Sequence, residues 1–542
     1  MFDRTSRSDD KLPKSRASSA SKPRRPSLPR VRSSQRLIHT ISIEKDNATN
    51  AGTSANDTSL SDDLESLTLG SGLHETIEVP YVKATLDASL PQDYFKTDVL
   101  NLIQNLRISK WYTKGSAITS LKPQELKLTK ITGALTNTIF KVEYLGLPSL
   151  LLRIYGPNVE SIIDREYELQ ILARLSLHHI GPSLYGCFIN GRFEQFLENS
   201  QTLTKTDIRN WKTSQRIARR MKELHIGVPL HRSEIVKGPS SWERIDKWMA
   251  KFEESQWVKN DTKIQQTLLA SDWTQFKEAV NLYRKWLDSN GPADDLVFCH
   301  NDAQYGNLLF TSPVISTASV ASTQSTASST ESSLFPTSSN ISLDEIIHPS
   351  VQEQSQDSKL VVIDFEYSGP NPAAYDLANH LSEWMYDYHC AESYKTFEDK
   401  FPTREEMLNF VYSYVSHNRT SNKNIDDEVR GLYNSIIRWR ALVQLFWSLW
   451  GIIQSGELDV EEPREIVREG PGGEKYVITV EDDASVSSDE ILEGVDIDSF
   501  ENLRYASEKI AVFWGDLIQL GIVKREALAS SAQAKNLDIK MF

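Results

Sequence analysis

The sequence predicts an α+β protein of two lobes, a small β-rich N-terminal lobe and a large, mainly helical C-terminal lobe. The chain has 542 residues, more than one ordinary domain needs. Between residues 131 and 197 the hydrophobic pattern gives short strands around one amphipathic helix, which is typical of a small α+β lobe. Beyond residue 206 the patterns lengthen to helical spacing, interrupted by one polar loop between short apolar runs.

Composition sets the domain boundaries. Residues 1–75 are rich in Ser, Thr, Asn and charged residues, and their apolar residues show no period, so we expect a disordered basic tail. The first 40 residues contain eleven Lys and Arg against three Asp. We assign residues 76–200 to the N-terminal lobe and residues 201–542 to the C-terminal lobe.

The tail contains one candidate regulatory site. Arg24 and Arg25 precede Ser27, a pattern that basophilic protein kinases favour because paired arginines meet acidic pockets. The sequence therefore predicts that a regulatory kinase acts on Ser27. An ordinary basic tail, or a tail that touches acidic membranes, is the alternative.

Two segments of the C-terminal lobe have the composition of insertions. Residues 311–358 hold 21 Ser and Thr in 48 positions, a low-complexity composition that we expect to form a loop without a core. Residues 457–499 hold fifteen Asp and Glu against three Lys and Arg, which predicts a solvated acidic loop.

The N-terminal lobe is predicted element by element from its periodicity. A helical pattern comes first, then apolar runs that predict strands, then a clear amphipathic helix. Asn190-Gly191 between two strand patterns is a strong hairpin signal. The predicted elements are a helix at 94–108, strands at 131–145 and 148–156, a helix at 161–177 and a hairpin at 182–197.

The C-terminal lobe is predicted to consist of long helices on both sides of the polar loop. Apolar residues recur there at three- and four-residue spacing, which places them on one helix face. The predicted helices lie at 207–225, 243–255, 272–289, 373–388, 404–417, 434–454 and 500–521.

Charge and cysteine content exclude several classes. The net charge of −14 argues against a nucleic-acid-binding protein. The three cysteines, Cys187, Cys299 and Cys390, are odd in number and far apart, which favours a reducing compartment over disulfides or a zinc site. The N-terminus has no apolar signal core, and the longest apolar stretch, residues 442–453, is broken by polar residues. We therefore expect a cytoplasmic protein without a transmembrane segment.

Three oxygen-bearing side chains follow the short apolar runs. "VFCHNDAQYGNLLF" carries Asp302 and Asn307, and "LVVIDFEY" carries Asp364. Phosphoryl transfer from ATP requires an aspartate that accepts the proton of the attacking hydroxyl, and oxygen ligands that hold Mg²⁺ on the phosphates. An Asp and an Asn five apart are common turn residues, but the flanking strands and the second aspartate favour a kinase-type site.

"HNDAQYGN" and "IDFEY" resemble the catalytic and metal motifs of the choline/ethanolamine kinase family, relatives of the aminoglycoside phosphotransferases with a bilobal, protein-kinase-like fold. The resemblance covers residues 77–525 apart from the two insertions. "SEWMYDY" and "LFWSLW" make it specific, and the tail and Ser/Thr-rich segment look most like those of fungal choline kinases. Asn301 stands where protein kinases have Arg, and no GxGxxG is present, which counts against a protein kinase.

The resemblance implies roles for the motif residues. Asp302 would be the catalytic base, and Asn307 and Asp364 would hold Mg²⁺. Gln304 would be a polar contact in the active site, and Glu366 would assist a second metal ion.

The resemblance also implies an ATP site in the N-terminal lobe. "TGALTNT" would be the nucleotide loop, with Gly133 and Asn137 over the phosphates, where backbone N–H groups can hold anionic oxygens. Gln195 would lie at the hinge near adenine.

Arg153 stands where protein kinases place a phosphate-binding lysine. Glu168 on the following helix is the expected partner of Arg153, with Glu166 as the alternative. An ordinary surface ion pair would have the same sequence pattern.

Several aromatic residues and one carboxylate follow the motifs. Ring faces attract a quaternary ammonium by roughly 0.5–2 kcal/mol per contact. Two tryptophans at helical spacing are more often core residues, but the resemblance implies a choline pocket. Its members would be Tyr367, Glu383, Tyr388, Trp447, Trp450 and Tyr505.

The resemblance implies an ATP- and Mg²⁺-dependent phosphorylation of choline to phosphocholine, which feeds phosphatidylcholine synthesis by the CDP-choline route. An ethanolamine kinase or a dual enzyme is the nearest alternative, because ethanolamine differs in having N–H groups to donate. A pseudokinase scaffold that recruits partners through the two insertions is the alternative of another class. A homodimer is a further expectation from the family.

Overall fold

The structure is a computed structural model that describes the residues of thirteen stretches of the chain. Ser27 and the rest of residues 1–36 lie outside them, as does most of each insertion. The described residues are 37–44, 74–112, 121–131, 137–155, 165–177, 180–290, 295–311, 334–335, 342–456, 466–469, 475–478, 501–530 and 532–542.

A twisted sheet and two helices form the N-terminal lobe. The strands are β1 (Leu37–Glu44), β2 (His74–Val82), β3 (Lys127–Ile131), β4 (Asn137–Glu143), β5 (Leu150–Tyr155), β6 (Leu184–Phe188) and β7 (Gly191–Gln195), in the order β1-β2-β6-β7-β5-β4-β3. Only β2 and β6 pair in parallel among these. The helices are α1 (Gln92–Leu106) and α2 (Arg165–Leu177). Val99 and Ile103 of α1 share one buried core with Leu152 and Phe193 of the sheet.

The hairpin predicted at Asn190-Gly191 is confirmed. β6 and β7 pair in antiparallel fashion around it. Any side chain at Gly191 would collide with the carbonyl oxygen of Arg153, so the close approach of the neighbouring strand requires glycine. The amide of Asn190 bonds both backbone groups of Leu86, at 2.9 and 2.8 Å, and so ties the turn to the chain that follows β2.

The prediction of disorder for residues 1–75 is wrong for one stretch. Residues 37–44 form β1, which pairs along its full length with β2, from Leu37 opposite Tyr81 to Glu44 opposite His74. The segment "LIHTISIE" contains four aliphatic residues. A composition averaged over the whole tail conceals such a short apolar stretch, and β2 supplies the partner edge that stabilises it.

Twelve helices lie in the described part of the C-terminal lobe. They are α3 (Trp211–Gly227), α4 (Arg232–Lys237), α5 (Ser240–Glu254), α6 (Gln256–Asn260), α7 (Thr262–Leu269), α8 (Trp273–Asn290), α9 (Leu343–Ile347), α10 (Val351–Asp357), α11 (Ala373–Ser382), α12 (Arg404–Ser416), α13 (Ile425–Ser455) and α14 (Asn502–Gln519). The predicted α+β class with a β-rich N-terminal lobe and a helical C-terminal lobe is confirmed.

Short strands pair between these helices and carry the polar loops. They are β8 (Gln201–Thr202), β9 (Leu296–Cys299), β10 (Leu308–Phe310), β11 (Leu360–Val362), β12 (Gly369–Pro372), β13 (Ile466–Glu469) and β14 (Lys475–Ile478). β10 pairs with β8 and β11, and β9 pairs with β12. The polar loop between β9 and β10 therefore lies between two small sheets.

The long helix α13 is the centre of the C-terminal core. It packs against α5, α11, α12 and α14, and Arg440 forms a buried ion pair with Asp516 of α14, at 2.5 Å. α13 is long and apolar enough to cross a membrane, but 94% of its apolar window is buried inside the protein. That burial is what the core helix of a globular lobe requires, so the helix is weak support for a membrane span.

The Ser/Thr-rich segment 311–358 contributes to the core, contrary to the prediction. Leu334 and Phe335 are both buried, and the Phe335 ring packs edge-on against Tyr412 at 5.8 Å. The segment also contains α9, whose Ile346 is fully buried, and α10. These few apolar residues are diluted by the surrounding Ser and Thr, so composition alone did not reveal them.

The acidic segment 457–499 is not wholly a loop either. β13 and β14 pair in antiparallel fashion, from Ile466 opposite Ile478 to Glu469 opposite Lys475. The short runs "IVRE" and "KYVI" stand on either side of "GPGGE" in the sequence, a hairpin pattern that the surrounding acidic residues obscure.

We predict that Phe335 anchors the Ser/Thr-rich segment. Phe335→Ala should lower the free energy of unfolding by about 3 kcal/mol, because it opens a cavity against Tyr412. Val351→Ala in the same segment is the matched control, since Val351 is 84% exposed and its truncation should change little. Urea unfolding of both variants checks this, and an equal, small effect would show that the anchor is absent.

Candidate active site

Asp302 lies in the loop after β9, and a buried aspartate of α11 fixes that loop. The carboxylate of Asp376 accepts hydrogen bonds from the backbone N–H groups of His300, at 2.9 Å, and Asn301, at 2.7 Å. Asn301 adopts a positive φ of 65°, a conformation that costs a non-glycine residue about 1 kcal/mol or more. The two hydrogen bonds stabilise this turn, which presents the next residue, Asp302.

The side chain of Asn301 links the loop to the segment after β11. Its Nδ2 donates to the carbonyl oxygen of Tyr367 at 2.9 Å, and its Oδ1 accepts from Asn371 at 2.8 Å. Asn301 is 2% exposed. The residue that distinguishes this loop from the protein-kinase motif therefore holds Tyr367 beside the loop.

Asp302 and Asn307 lie together, as the spacing predicts. Nδ2 of Asn307 donates to both the carboxylate Oδ2 of Asp302, at 2.8 Å, and its carbonyl oxygen, at 2.9 Å. Burial raises the pKa of Asp302 well above its usual value, and the charges of Glu383, Asp364 and Glu366 raise it further. The carboxyl group is therefore a stronger base than an exposed aspartate.

Asp364 lies at the junction of the two lobes. It follows β11 and Ile363, and its φ is 65°, so the chain turns sharply there. Its Oδ1 accepts from Nη1 of Arg153 on β5 at 3.0 Å, and Glu366 lies 4.0 Å from the same nitrogen. Glu366 also accepts from Nδ2 of Asn137 at 3.1 Å. Two N-terminal residues, Arg153 and Asn137, thus contact the carboxylates that the C-terminal lobe supplies.

The expected pairing of Arg153 with Glu168 is wrong. Glu168 lies 2.8 Å from Nη1 of Arg192, while Arg153 contacts Asp364 and lies 3.7 Å from Glu194. Arg153 and Arg192 stand opposite each other on β5 and β7, so their side chains share a face of the sheet. Arg192 of the neighbouring strand, and not Arg153, reaches Glu168 of α2, which the spacing along one strand could not show.

The remaining predicted ATP and loop residues are placed as follows. Gly133 lies outside the described residues. Gln195 is the last residue of β7, at the connection to the C-terminal lobe, and its Oε1 accepts from the N–H of Ser183 at 3.3 Å. Oε1 of Gln304 accepts from the N–H of Gly306 at 2.7 Å, so Gln304 shapes the turn of the loop.

The predicted aromatic residues converge beside the loop. Tyr367 meets Trp447 at 5.0 Å between ring centroids, Trp447 meets Trp450 at 5.5 Å, and Trp450 meets Tyr505 at 6.2 Å. Nε1 of Trp450 donates to the hydroxyl of Tyr367 at 2.8 Å. Three elements therefore contribute to one aromatic cluster.

Glu383 and Tyr388 join this cluster, although not on a helix. The helix predicted at 373–388 ends at Ser382, and a short 3-10 turn, Glu383–Met385, follows it. The hydroxyl of Tyr388 donates to Oε2 of Glu383 at 2.6 Å. Ending the helix early lets the chain turn, so that Tyr388 contacts both Glu383 and Tyr505 of the cluster.

Comparison with known families decides the identity of this site. A family model described as choline/ethanolamine kinase matches residues 128–514, and one described as choline kinase N terminus matches residues 70–118. The first model spans well over half of the chain. The chain belongs to the choline/ethanolamine kinase family. The resemblance inferred from the motifs is confirmed.

Relatives agree with this membership. A choline kinase of Saccharomyces cerevisiae is 55% identical, over 96% of both chains, and an ethanolamine kinase of the same yeast is 39% identical, over 84% of this chain and 82% of its own. The solved structure of an ethanolamine kinase from Plasmodium vivax has a TM-score of 0.51 at 19% identity, covering 80% of this chain and 91% of that one; this likeness supports the fold. As a member of the family, this kinase uses ATP to phosphorylate an alcohol group.

The kinase site contains residues that no motif singled out. Lys509 of α14 lies 3.5 Å from Glu383 and 3.7 Å from the ring centroid of Tyr386. Arg244 of α5 lies 5.4 Å from the ring centroid of Tyr367. Charged residues at helical spacing look like solvated surface residues in a sequence, and only tertiary packing shows that Lys509 is buried.

A buried histidine of α11 forms a hydrogen bond to the backbone of the catalytic loop. His380 of α11 is fully buried, and its Nδ1 donates to the carbonyl oxygen of Ala303 at 2.8 Å. Burial lowers the pKa of His380 to about 4, because the charged form would have to leave water. His380 is therefore neutral at neutral pH.

We predict that His380 makes the fold sensitive to acid. The unfolded chain binds a proton near pH 6.5 but the folded chain does not until about pH 4, so stability is complete above about pH 6.5 and falls as the pH drops between these values. The full loss is on the order of 3 kcal/mol. Urea unfolding at pH 7 and pH 4.5 should show a weaker pH dependence for His380→Gln than for the wild type. His348→Gln, at an exposed position, is the control and should behave as the wild type. Equal pH dependence in all three proteins would refute the contribution of His380 to acid sensitivity.

Proposed function

We propose that this kinase is a choline kinase, which transfers the γ-phosphoryl group of ATP to the choline hydroxyl and releases phosphocholine and ADP. The observation that carries the proposal is the buried carboxylate of Glu383 beside the rings of Tyr388 and Tyr505, next to the catalytic loop. Glu383 is close enough to Asp302 for its charge to raise the Asp302 pKa. A cation held there would present its hydroxyl to Asp302.

Asp302 acts in this proposal as the base. Its raised pKa brings it nearer to the working pH, which favours proton transfer from a hydroxyl. Asn307 orients the carboxylate through the 2.8 Å hydrogen bond, and Gln304 keeps the turn that separates the two residues. Attack on the phosphoryl group then depends chiefly on positioning.

The side chains beside Asp302 fit a magnesium site. Asp364, Glu366 and Asn307 offer oxygen atoms, the ligands that Mg²⁺ prefers, and because Nδ2 of Asn307 donates to Asp302, its amide oxygen is the atom left for a cation. Bound Mg²⁺ would neutralise charge on the transferred phosphoryl group. The positive φ of Asp364 turns its carboxylate towards Arg153 and the lobe junction.

The N-terminal lobe would bind ATP. Arg153 would contact the phosphates, with Asn137 and Gly133 over them and the backbone at Gln195 beside adenine. Glu168 would act through Arg192, which it holds next to Arg153 on the sheet. Each of these N-terminal residues would thus contact the phosphates, contact adenine or support Arg153.

Choline would bind among Tyr367, Glu383, Tyr388, Trp447, Trp450 and Tyr505. Each ring face contributes roughly 0.5–2 kcal/mol to holding a quaternary ammonium, and one carboxylate balances its charge.

The enzyme would act in the cytoplasm, on the CDP-choline route to phosphatidylcholine. It would be a homodimer regulated by a kinase that acts on Ser27.

Ethanolamine is the second candidate substrate, alone or beside choline. The 39% identity to a yeast ethanolamine kinase supports this second candidate. The pseudokinase scaffold loses support, because Asp302, Asn307 and Asp364 are all present and lie close to one another.

Turnover of purified enzyme with choline and with ethanolamine tests the proposal. We expect a higher kcat/KM for choline, and a loss of at least about a thousandfold in Asp302→Ala, because base and positioning are removed together. Asp399→Asn, at an exposed position, is the control and should keep wild-type turnover. Preference for ethanolamine would contradict the substrate assignment, and unchanged turnover in Asp302→Ala would contradict the base.

A metal titration tests the proposed ligands. Asp364→Asn should raise the Mg²⁺ concentration for half-maximal binding by at least about tenfold, because even residues that support metal ligands are worth that much. Calorimetric titration with Mg²⁺ in the presence of a non-hydrolysable ATP analogue measures it without turnover. Glu366→Gln should have a smaller effect, and an unchanged Mg²⁺ affinity in Asp364→Asn would remove Asp364 from the metal site.

A further inference from the structure

α14 carries a lysine that is buried beside the proposed choline pocket. Lys509 is 0% exposed, and its ammonium lies 3.5 Å from Oε1 of Glu383. The same ammonium lies 3.7 Å from the ring centroid of Tyr386 and 5.0 Å from that of Tyr505. Two ring faces and one carboxylate thus already surround a cation that belongs to the protein.

Glu383 is engaged on both of its oxygens. Oε1 faces Lys509, and Oε2 accepts the hydroxyl hydrogen of Tyr388 at 2.6 Å. The carboxylate is 2% exposed, so little water screens these contacts. A substrate cation therefore meets a carboxylate whose charge is partly offset and whose oxygens each have a donor.

A primary and a quaternary ammonium respond differently to such a carboxylate. A primary ammonium carries three N–H donors and leaves water only where acceptors replace its hydration. A quaternary ammonium has no N–H donor, and ring faces supply most of its attraction. When Glu383 already accepts from Lys509 and Tyr388, it offers fewer free acceptors to a primary ammonium. A quaternary ammonium loses less binding energy, because ring faces supply most of its attraction.

We propose that Lys509 is a specificity-determining residue, which engages Glu383 and so makes the pocket favour a quaternary over a primary ammonium. Lys509 acts through Glu383 and is a positioning residue. The inference rests on the proposed function, since it concerns the same pocket. A purely structural role, in which the ion pair only fastens α14, would affect both substrates alike.

The ratio of kcat/KM for choline to kcat/KM for ethanolamine is the measurement. Lys509→Met removes the charge and keeps most of the volume, so Glu383 becomes available to a primary ammonium and the ratio should fall about tenfold. Lys509→Arg keeps the charge and should keep the ratio within about twofold. Tyr388→Phe keeps the ring and frees Oε2, so the ratio should fall in the same direction.

Lys535→Met is the matched control. Lys535 is also a largely buried lysine paired with glutamates, Glu508 at 2.6 Å and Glu398 at 3.2 Å, but it does not contact Glu383. Its loss should leave the ratio unchanged even if stability falls. A ratio that is unchanged in folded Lys509→Met, or that falls equally in Lys509→Arg, overturns the proposal. If Lys509→Met does not fold, Tyr388→Phe decides, and an unchanged ratio there overturns it.

The same assay separates this inference from the proposed function. A wild-type enzyme that prefers ethanolamine contradicts the choline assignment, while a further fall of the ratio in Lys509→Met still supports the role of Lys509. A wild-type enzyme that prefers choline, with a ratio that Lys509→Met leaves unchanged, retains the proposed function and refutes the inference. No turnover on either substrate refutes both.

Discussion

The geometry of the catalytic loop depends on the buried carboxylate of Asp376. It accepts the N–H groups of His300 and Asn301, and the ring of His225 contacts it at 2.9 Å. Burial alone would raise the pKa of Asp376, but the hydrogen bonds and charges of His225 and His300 outweigh it and lower the pKa. Because His225 also contacts Tyr414 at 2.8 Å, α3, α11 and α12 meet at the loop. Ligand atoms of His225, Cys299 and Asp376 lie within 4.8 Å of one another, and these hydrogen bonds explain the cluster without a metal ion.

The lobe junction follows from an imbalance of charge on the N-terminal sheet. Arg153 and Arg192 face each other across β5 and β7, and two arginines so close repel unless carboxylates separate them. Glu168 pairs with Arg192, and Glu194 lies within ion-pair distance of both arginines, so Asp364 from the other lobe supplies the carboxylate nearest to Arg153. Phosphate oxygens of ATP would compete for that guanidinium, so nucleotide binding would exchange one of the contacts between the lobes.

The sequence could predict those parts of the site whose residues lie close together along the chain as well as in the structure. Asp302 and Asn307 lie in one loop, Asp364 follows a short strand, and Asn190-Gly191 forms a hairpin turn, so each can be predicted from its local sequence. The partner of Arg153 could not be predicted, because Arg192 of the neighbouring strand pairs with Glu168 and Asp364 comes from the other lobe. β12 was missed because "GPNP" is turn chemistry in isolation, yet β9 supplies a pairing edge. β1 and Phe335 were missed because polar surroundings dilute them, and Lys509 because its burial is decided by helices far apart in sequence.

Selectivity in the pocket is better understood as a cost of dehydration than as a sum of attractions. Any cation that enters must leave water, and a primary ammonium is the more strongly hydrated of the two. Each ring face offsets the loss of hydration by roughly 0.5–2 kcal/mol. This suffices for a quaternary ammonium, but it does not replace the N–H hydrogen bonds that a primary ammonium loses. Those would have to come from Glu383, whose two oxygens already each face one donor, from Lys509 and from Tyr388. A carboxylate at the centre of an aromatic site therefore does not by itself favour the ion with more hydrogens to donate; what matters is how much of that carboxylate the protein has left unengaged.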